Sequence, residues 1–267
     1  MPKYLFDRKH EIVEAIENAD QVLLFLDYDG TLVSFKDKPN DVTTTKSVKN
    51  VLRKLIKNPK FSIFMITGRE LNDIKNLLDA EGASFAALHG LQMEISDGKK
   101  FVWSNAEKSR LFLEEIKEDV FSEFKGKKGI YIEDKELTLA FHYRLLPKEK
   151  IKDAAKRFRE IVKKRDDKNM LEVIKGAELL EVRPKGWNKG KATEFLLKKF
   201  AKNKNSIPIY IGDDTTDEDA FDFLKNHGMT IFVSNDSGKS TSAQYWVKNP
   251  DEVLIFLKSL LDVKIKV

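Results

Sequence analysis

The most informative stretch of this chain reads Val22-Leu23-Leu24-Phe25-Leu26-Asp27-Tyr28-Asp29-Gly30-Thr31. Its first half is a short, wholly apolar run, which is typical of a strand buried on both faces of a parallel sheet. Asp27 and Asp29 therefore follow the carboxyl end of that strand, where open α/β sheets bind their ligands. Both carboxyl groups would be ionised at neutral pH and would repel each other unless a positive charge lay between them. A divalent cation is the simplest candidate.

Strand and helix patterns alternate in the first third of the chain and again after Trp187. Such alternation predicts βαβ units and therefore an α/β fold with a doubly wound parallel sheet. The predicted strands cover 22–26, 61–66, 84–88, 207–211 and 229–233, and the predicted helices cover 44–57, 70–80, 190–201, 217–226 and 251–261.

The middle of the chain follows a different pattern. A helix over 105–124 and another over 148–165 are predicted, each followed by two strands, at 129–133 and 137–144 and then at 170–174 and 178–183. The period-two alternation of 137–144 indicates a half-exposed antiparallel strand. We therefore expect a core of residues 1–95 and 187–267, interrupted by an inserted α+β module of residues 96–186, the candidate cap.

Composition narrows the class of protein further. The chain has 267 residues, 41% of them apolar and 34% charged, and its 48 basic residues are interspersed with 43 acidic ones. Without a concentrated basic tract, nucleic-acid binding is the weakest alternative. Cysteine is absent, which excludes disulfides and thiolate chemistry. No apolar run approaches the roughly 20 residues of a membrane span, and the charged first 20 residues do not resemble a signal peptide, so we expect a cytoplasmic protein.

Polar residues follow three of the predicted core strands, and a lysine begins a helix before the last of these strands. In a parallel sheet these residues would lie along one edge. Each alone could be a helix cap or turn former, and the lysine alone a solvated side chain. As a set they favour a functional site. They are Asp27 and Asp29, Thr67-Gly68-Arg69, Gly212-Asp213-Asp214-Thr215-Thr216-Asp217, and Lys189.

Phosphoryl transfer is the chemistry that uses such a set. One aspartate can attack phosphorus while the other transfers a proton, and carboxylate oxygens suit Mg²⁺. Thr67 and Lys189 can hold the phosphoryl oxygens as charge spreads over them, and Gly68 lets backbone N–H groups approach. A nucleotide P-loop is excluded, because the segment 186–193 is one residue short between its glycines and has alanine where serine or threonine should follow the lysine.

These four motifs resemble those of the haloacid dehalogenase superfamily of Mg²⁺-dependent phosphatases. The resemblance implies that Asp27 is the nucleophile and Asp29 the acid/base. It also implies that Mg²⁺ is bound by the side chains of Asp27 and Asp213 and by the backbone carbonyl of Asp29. Asp217 would then be a water-mediated or supporting partner, and Asp214 would orient Lys189 or the metal-bound waters.

A narrower resemblance, covering about residues 20–260, is to the trehalose-6-phosphate phosphatase family. It rests on the segments 212–221, 88–91, 133–135 with 140–144, and 181–190. It implies trehalose 6-phosphate as substrate and an inserted module that specifies the sugar. Gln92 departs from the family, where a glutamate is common. The implied sugar-binding residues are Glu133, Lys135, Arg144 and Glu181, and the other implied substrate-binding residues are Gly68, Arg69 and His89.

Several alternatives stay open. The charged residues of the inserted module also fit an ordinary cross-strand ladder. The substrate could be another glycosyl phosphate, such as a sucrose, glucosylglycerol or mannosylglycerate precursor. A receiver-like signalling module uses a similar acidic pocket, although the large insertion speaks against it. The resemblance also raises a trehalose-phosphate synthase as a candidate partner.

Overall fold

The computed structural model describes residues 2–36, 41–176, 178–236 and 238–263. The chain divides into two units, one formed by Met1–Phe101 with Asn188–Val267 and the other by Val102–Trp187. The strands along the chain are β1 (Lys3–Tyr4), β2 (Gln21–Leu26), β3 (Phe61–Ile66), β4 (Ser84–Ala87), β5 (Gln92–Glu94), β6 (Lys100–Val102), β7 (Tyr131–Asp134), β8 (Leu139–His142), β9 (Leu171–Gly176), β10 (Leu179–Pro184), β11 (Ser206–Gly212), β12 (Met229–Val233) and β13 (Tyr245–Val247). The helices are α1 (Lys9–Asn18), α2 (Lys46–Lys57), α3 (Leu71–Leu78), α4 (Ser104–Phe124), α5 (Lys148–Arg165), α6 (Lys189–Phe200), α7 (Glu218–Leu224) and α8 (Pro250–Ser259).

The first unit is built on a nine-stranded sheet in the order β1-β13-β12-β11-β2-β3-β4-β5-β6. Neighbouring strands are parallel from β1 to β4, whereas β5 runs antiparallel to β4. The α/β fold is thus confirmed, but the sheet is mixed instead of wholly parallel. Because β5 and β6 prolong this sheet, the first unit extends to residue 101.

The central strand β2 explains why this sheet forms. All of its apolar residues, Val22 to Leu26, have no exposed surface, as two-sided burial requires. Burying each such side chain contributes about 1.5–3 kcal/mol relative to leaving it exposed. Helix α2 packs against the sheet through a single apolar face that includes Val48, Leu52 and Leu55, and the side chain of Thr45 caps its first turn by accepting from the Val48 N–H.

The second unit has a four-stranded antiparallel sheet in the order β7-β8-β10-β9. One face of this sheet carries Ile132, Phe141 and Leu180, which pack with apolar residues of α4 and α5. The two helices are further joined by ion pairs, among them Arg165 with Asp119 at 2.7 Å. The opposite face is polar, as the alternation along β8 predicts.

No helix in the described part of the chain is both long and apolar enough to cross a membrane.

Candidate active site

Three neighbouring strands of the first unit each end next to one of the predicted polar residues. Asp27 follows β2, Thr67 follows β3 and Asp213 follows β11, and these strands lie side by side in the order β11-β2-β3. Because all three run parallel, their carboxyl ends meet at the same edge of the sheet. The strand order therefore brings together residues that lie up to 186 positions apart in the sequence.

Lys189 reaches this edge from the start of α6. Asn188 caps the helix by accepting from the Lys191 N–H at 2.9 Å, which fixes Lys189 in the first turn. The Lys189 ammonium then lies 3.0 Å from Oδ1 of Asp27 and 2.7 Å from Oδ1 of Asp217. All three side chains are buried. The buried ammonium of Lys189 thus pairs with one aspartate of the first acidic motif and one of the last.

Asp217 is the most fully hydrogen-bonded acid of the site. Its Oδ1 accepts from Lys189 and from the hydroxyl of Tyr210, both at 2.7 Å. Its Oδ2 accepts from the N–H groups of Asp213 and Asp214, both at 3.0 Å. A carboxylate offers about four lone-pair positions, so these donors occupy all of them. Asp217 therefore supports the site and has no lone pair left for a metal ion.

Asp214 lies beside these acids but uses its side chain locally. Its Oδ1 accepts from the Thr215 N–H at 2.7 Å, and it forms a reciprocal capping box with Asp217 at the turn Thr215–Asp217. Lys189 pairs with Asp27 and Asp217, so Asp217 is placed to orient Lys189. The other role that the resemblance implies for Asp214, toward metal-bound waters, stays a prediction.

Asp213 and Asp27 supply the remaining carboxylate oxygens. Together with Asp217 they form the acidic group whose ligand atoms all lie within 4.8 Å of one another. Asp27 uses Oδ1 for Lys189, and Asp213 uses Oδ1 to accept from the Thr31 hydroxyl at 3.0 Å. Within the described residues no hydrogen bond to Oδ2 of either aspartate is seen, which makes these oxygens the candidates to bind a cation. Gly30 makes room for this arrangement, because a Cβ at that position would lie 2.1 Å from Oδ2 of Asp213.

The electrostatics of this group favour a bound cation. Burial, with smaller contributions from the charges of Asp217 and Asp29, raises the pKa of Asp27 to about 7 even though Lys189 opposes the shift. Burial and the charge of Asp27 likewise raise the pKa of Asp213 well above its ordinary value. Burial alone would lower the pKa of Lys189, but Asp217 and Asp27 outweigh it and keep the ammonium charged. One ammonium thus faces three carboxylates.

This charge deficit, together with carboxylate oxygens that lie within 4.8 Å of one another, fits a hard divalent cation such as Mg²⁺, which takes one or two carboxylates and keeps several waters. Asp27 and Asp213 are the residues whose side chains would hold it.

Asp29 is held by an arginine and not by the acidic group. Arg69 donates to both of its carboxylate oxygens, at 2.7 and 2.9 Å, and to Asp73 at 2.7 Å. The guanidinium also lies over the ring of Tyr28, 5.3 Å from its centroid. Such a bidentate pair fixes the carboxylate in one orientation. The Thr67 hydroxyl accepts from the Arg69 N–H at 3.2 Å, so this motif places a threonine, an arginine and an aspartate side by side.

Gly68 and His89 complete the group of predicted residues in the first unit. His89 is buried, has a left-handed backbone with a φ of 59°, and donates its N–H to the Thr67 carbonyl at 2.8 Å. Its ring lies 3.0 Å from the position that a Cβ on Gly68 would occupy. A larger residue at 68 would therefore displace the histidine ring.

The other predicted substrate residues lie on the polar face of the second unit's sheet. Glu133 and Glu181 face each other across Ala140, which pairs with both in the strand register. The Lys135 ammonium lies 3.5 Å from Glu181 and 3.8 Å from Glu133. Period-two alternation thus predicted that Glu133 and Lys135 share a face, and the resemblance implied that Glu181 acts with them. A partner of Arg144 is Glu178, at 2.8 Å.

Two residues of β8 and its preceding turn hold these glutamates. His142 Nε2 is 2.9 Å from Glu133, and the Thr138 hydroxyl donates to Glu181 at 2.6 Å. Burial opposes ionisation of Glu133, but the hydrogen bond with His142 and the charge of Lys135 outweigh it and lower its pKa. These hydrogen bonds hold both carboxyl groups in defined orientations, and Glu133 enters the cluster as an ionised acceptor.

Sequence reasoning missed several residues that contact the predicted ones. The hydroxyl of Tyr210 could have been noticed as the one polar atom among the side chains of the apolar run 207–211. The partners Asp73 and Thr138 carry no such signal, because a charged or polar residue at a helix start or in a turn is common.

The fold is shared by proteins of known structure. A haloacid dehalogenase-like hydrolase from Bacteroides thetaiotaomicron shares it with a TM-score of 0.63 at 14% identity, over 90% of this chain and 98% of that chain. The C-terminal domain of the trehalose-6-phosphate phosphatase of C. albicans shares it with a TM-score of 0.87 at 23% identity, over 99% of this chain and 100% of that chain.

Sequence comparison then narrows the class to one family. The Trehalose-phosphatase family matches residues 25–251. A probable trehalose-phosphate phosphatase H of Arabidopsis thaliana is 31% identical over 274 residues, which cover 97% of this chain and 76% of that protein. This chain belongs to the trehalose-phosphatase family, and the resemblance of its motifs to that family is confirmed.

Proposed function

We propose that this protein is a Mg²⁺-dependent phosphatase that hydrolyses trehalose 6-phosphate to trehalose and phosphate. The observation that carries the proposal is the Lys189 bridge between Asp27 and Asp217, which lies beside Asp213 at the carboxyl edge of the sheet in a chain of this family. Relatives named as trehalose-phosphate phosphatases support the choice of substrate.

The reaction would proceed in two displacements. In the first, a carboxylate oxygen of Asp27 attacks phosphorus, the bond from phosphorus to the sugar oxygen breaks, and Asp29 gives a proton to the departing alkoxide. In the second, Asp29 takes a proton from water, the water oxygen attacks phosphorus, and the Asp27 carboxylate is released with phosphate. Bound Mg²⁺ would neutralise charge on the phosphoryl oxygens.

The hydrogen bonds of Asp29 leave room for the transferred proton. Arg69 donates to both of its oxygens and so occupies two of the about four lone-pair positions, and the others can take the proton. Arg69 also donates to Asp73, which helps to keep the guanidinium in place. Lys189 and the Thr67 hydroxyl would hold the phosphoryl oxygens, with the Gly68 N–H beside them.

In this proposal the second unit specifies the sugar. Glu133, Lys135 and Glu181 would bind sugar hydroxyl groups, because two carboxyl groups and an ammonium supply both acceptors and donors. Arg144 and His89 remain candidate substrate contacts. A cytoplasmic location, the absence of nucleic-acid binding and a trehalose-phosphate synthase partner stay predictions.

Phosphate release from a panel of sugar phosphates tests the proposed function. The panel contains trehalose 6-phosphate, sucrose 6-phosphate, glucosylglycerol phosphate, mannosylglycerate phosphate and p-nitrophenyl phosphate, each with Mg²⁺ and with EDTA. We expect the highest kcat/KM for trehalose 6-phosphate and no turnover in EDTA. A preference for another glycosyl phosphate would change the substrate assignment, and a single turnover that leaves a stable phosphoprotein would favour a receiver-like module.

A further inference from the structure

Tyr210 is a fully buried tyrosine of β11 whose ring and hydroxyl have different surroundings. The ring packs among aromatic side chains, with its centroid 6.4 Å from that of Phe25 and 5.7 Å from that of Phe221. A phenylalanine would serve that packing equally well. The hydroxyl instead donates to Oδ1 of Asp217 at 2.7 Å. A buried hydroxyl is costly unless it is hydrogen-bonded, so this contact is the specific feature of Tyr210.

The same oxygen of Asp217 also accepts from Lys189. Lys189 lies closer to Asp217, at 2.7 Å, than to Asp27, at 3.0 Å. The Tyr210 hydroxyl offsets part of the negative charge on the shared oxygen. Without it that charge would be balanced by Lys189 alone, and the ammonium would be drawn toward Asp217 and away from Asp27.

The hydroxyl is also a dependable donor. Burial and the charge of Asp217 raise the pKa of Tyr210 well above its ordinary value, so the phenol keeps its proton at neutral pH. The two N–H groups on Oδ2 belong to the same loop as Asp217, whereas Tyr210 anchors Oδ1 from the rigid centre of the sheet.

We propose that Tyr210 is a positioning residue for the phosphatase reaction: it fixes Asp217 so that Lys189 stays on the attacking carboxylate of Asp27. The inference rests on the proposed function and adds to it a residue that contacts neither substrate nor metal. Because Tyr210 acts on the group that attacks phosphorus, its loss must affect the chemical step on every substrate alike.

The variant Tyr210→Phe removes only the hydroxyl. We expect kcat to fall about tenfold and KM to stay within about twofold, for trehalose 6-phosphate and for p-nitrophenyl phosphate alike. Tyr4→Phe is the matched control. It deletes a phenol that donates to the carboxylate of Glu252 at 2.8 Å, on edge strand β1, which is separated from β11 by β13 and β12. Its kcat should equal that of the wild type.

A double-mutant cycle tests whether Tyr210 acts through Asp217. In an Asp217→Asn background, Tyr210→Phe should lower kcat by less than about twofold, because the oxygen it serves has changed. An undiminished tenfold loss in that background would overturn the proposal, and so would a Tyr210→Phe enzyme with wild-type kcat or with the loss confined to KM.

Binding of Mg²⁺ supplies a readout besides activity. Calorimetric titration of the metal-free proteins with Mg²⁺ measures the affinity directly. We expect that of Tyr210→Phe to lie within about threefold of the wild type, because Asp27 and Asp213 are unchanged. A loss of Mg²⁺ binding would assign the hydroxyl to the metal ligands and overturn the positioning role. A wild-type chain without phosphatase activity would contradict the proposed function itself, whereas an active wild type beside an equally active Tyr210→Phe variant contradicts this inference alone.

Discussion

The carboxylates of the two units are arranged in opposite ways. In the first unit, Asp27 and Asp213 lie where strands end, share one ammonium with Asp217, and have raised pKa values because burial and mutual repulsion oppose their ionisation. In the second unit, Glu133 and Glu181 lie within strands, each with a hydrogen-bond partner from β8 or the turn before it, and the pKa of Glu133 is lowered.

In the proposed function, this difference separates reaction chemistry from recognition. A charge deficit that the protein leaves uncompensated can attract a metal ion and a phosphoryl group. Carboxyl groups that hydrogen bonds hold in defined orientations can act as fixed acceptors for hydroxyl groups. We therefore propose that the strand ends of the first unit carry the reaction and that the sheet face of the second unit selects the sugar.

Replacement of the nucleophile should produce the largest effect and should not distinguish between substrates. We expect Asp27→Asn to lower kcat at least about 10⁴-fold for both trehalose 6-phosphate and p-nitrophenyl phosphate. The metal-free variant should be at least as stable as the wild type at pH 8, because a buried charge has been removed. Asp222→Asn, an exposed substitution on α7, is the control. Residual activity above about 1% would argue against attack by Asp27.

Removal of Mg²⁺ tests the charge deficit directly. The pKa of Asp27 is raised from 3.8 in the unfolded chain to about 7 in the fold. Its contribution to the free energy of unfolding is therefore largest below pH 4 and is lost as the pH rises toward 7. Mg²⁺ binds the ionised form, so its affinity should fall about tenfold or more per pH unit below 7.

Thermal unfolding with EDTA or Mg²⁺ measures this dependence. The rise in Tm on adding Mg²⁺ should be larger at pH 8 than at pH 5.5, and activity should vanish in EDTA and return with excess Mg²⁺. An equal rise in Tm at both pH values would mean that the two aspartates are already ionised without the metal, and the contrast between the units would be lost.

The sequence predicted more of the fold than of the site. Long apolar runs identify buried strands, and parallel strands bring their carboxyl ends to one edge of the sheet. The sequence alone therefore predicts that Asp27 and Asp213 lie together. Strands of two or three residues, such as β1, β5 and β13, carry too little periodicity to be recognised. The antiparallel extension of the sheet was missed for that reason.

Side-chain partners inside the site could not be deduced in the same way. The resemblance implied that Asp214 orients Lys189 or the metal-bound waters, whereas the short helical turn at 215–217 brings Asp217 to Lys189. The pairing of Asp29 with Arg69 likewise depends on rotamers that the sequence does not specify. In the second unit, by contrast, period-two alternation was sufficient to bring Glu133 and Lys135 to one face.

A steric change at Gly30 should disturb the reaction site although no acidic residue is replaced. Gly30→Ala places a Cβ within 2.1 Å of Oδ2 of Asp213 at a φ of +82°. Gly98→Ala is a close control, because Gly98 has a φ of +83° and open space around the new atom. Both variants should lose about 1–2 kcal/mol of stability from the backbone. Only Gly30→Ala should also lower kcat, by about 100-fold, and weaken Mg²⁺ binding. Equal kcat values for the two variants would show that Asp213 can shift without any loss of activity.

The smallest effect should come from the second unit and should depend on the substrate. Glu181→Gln keeps the size of a buried side chain but halves its acceptor capacity and removes the ion pair with Lys135. We expect kcat/KM for trehalose 6-phosphate to fall about tenfold to 30-fold, and that for p-nitrophenyl phosphate to change less than about twofold, since the small ester has no sugar hydroxyls to bind. Glu115→Gln on the exposed surface of α4 is the control. Equal losses on both substrates would show that Glu181 supports the fold of its sheet, and the face that it shares with Glu133 would then be a structural ladder and not a recognition surface.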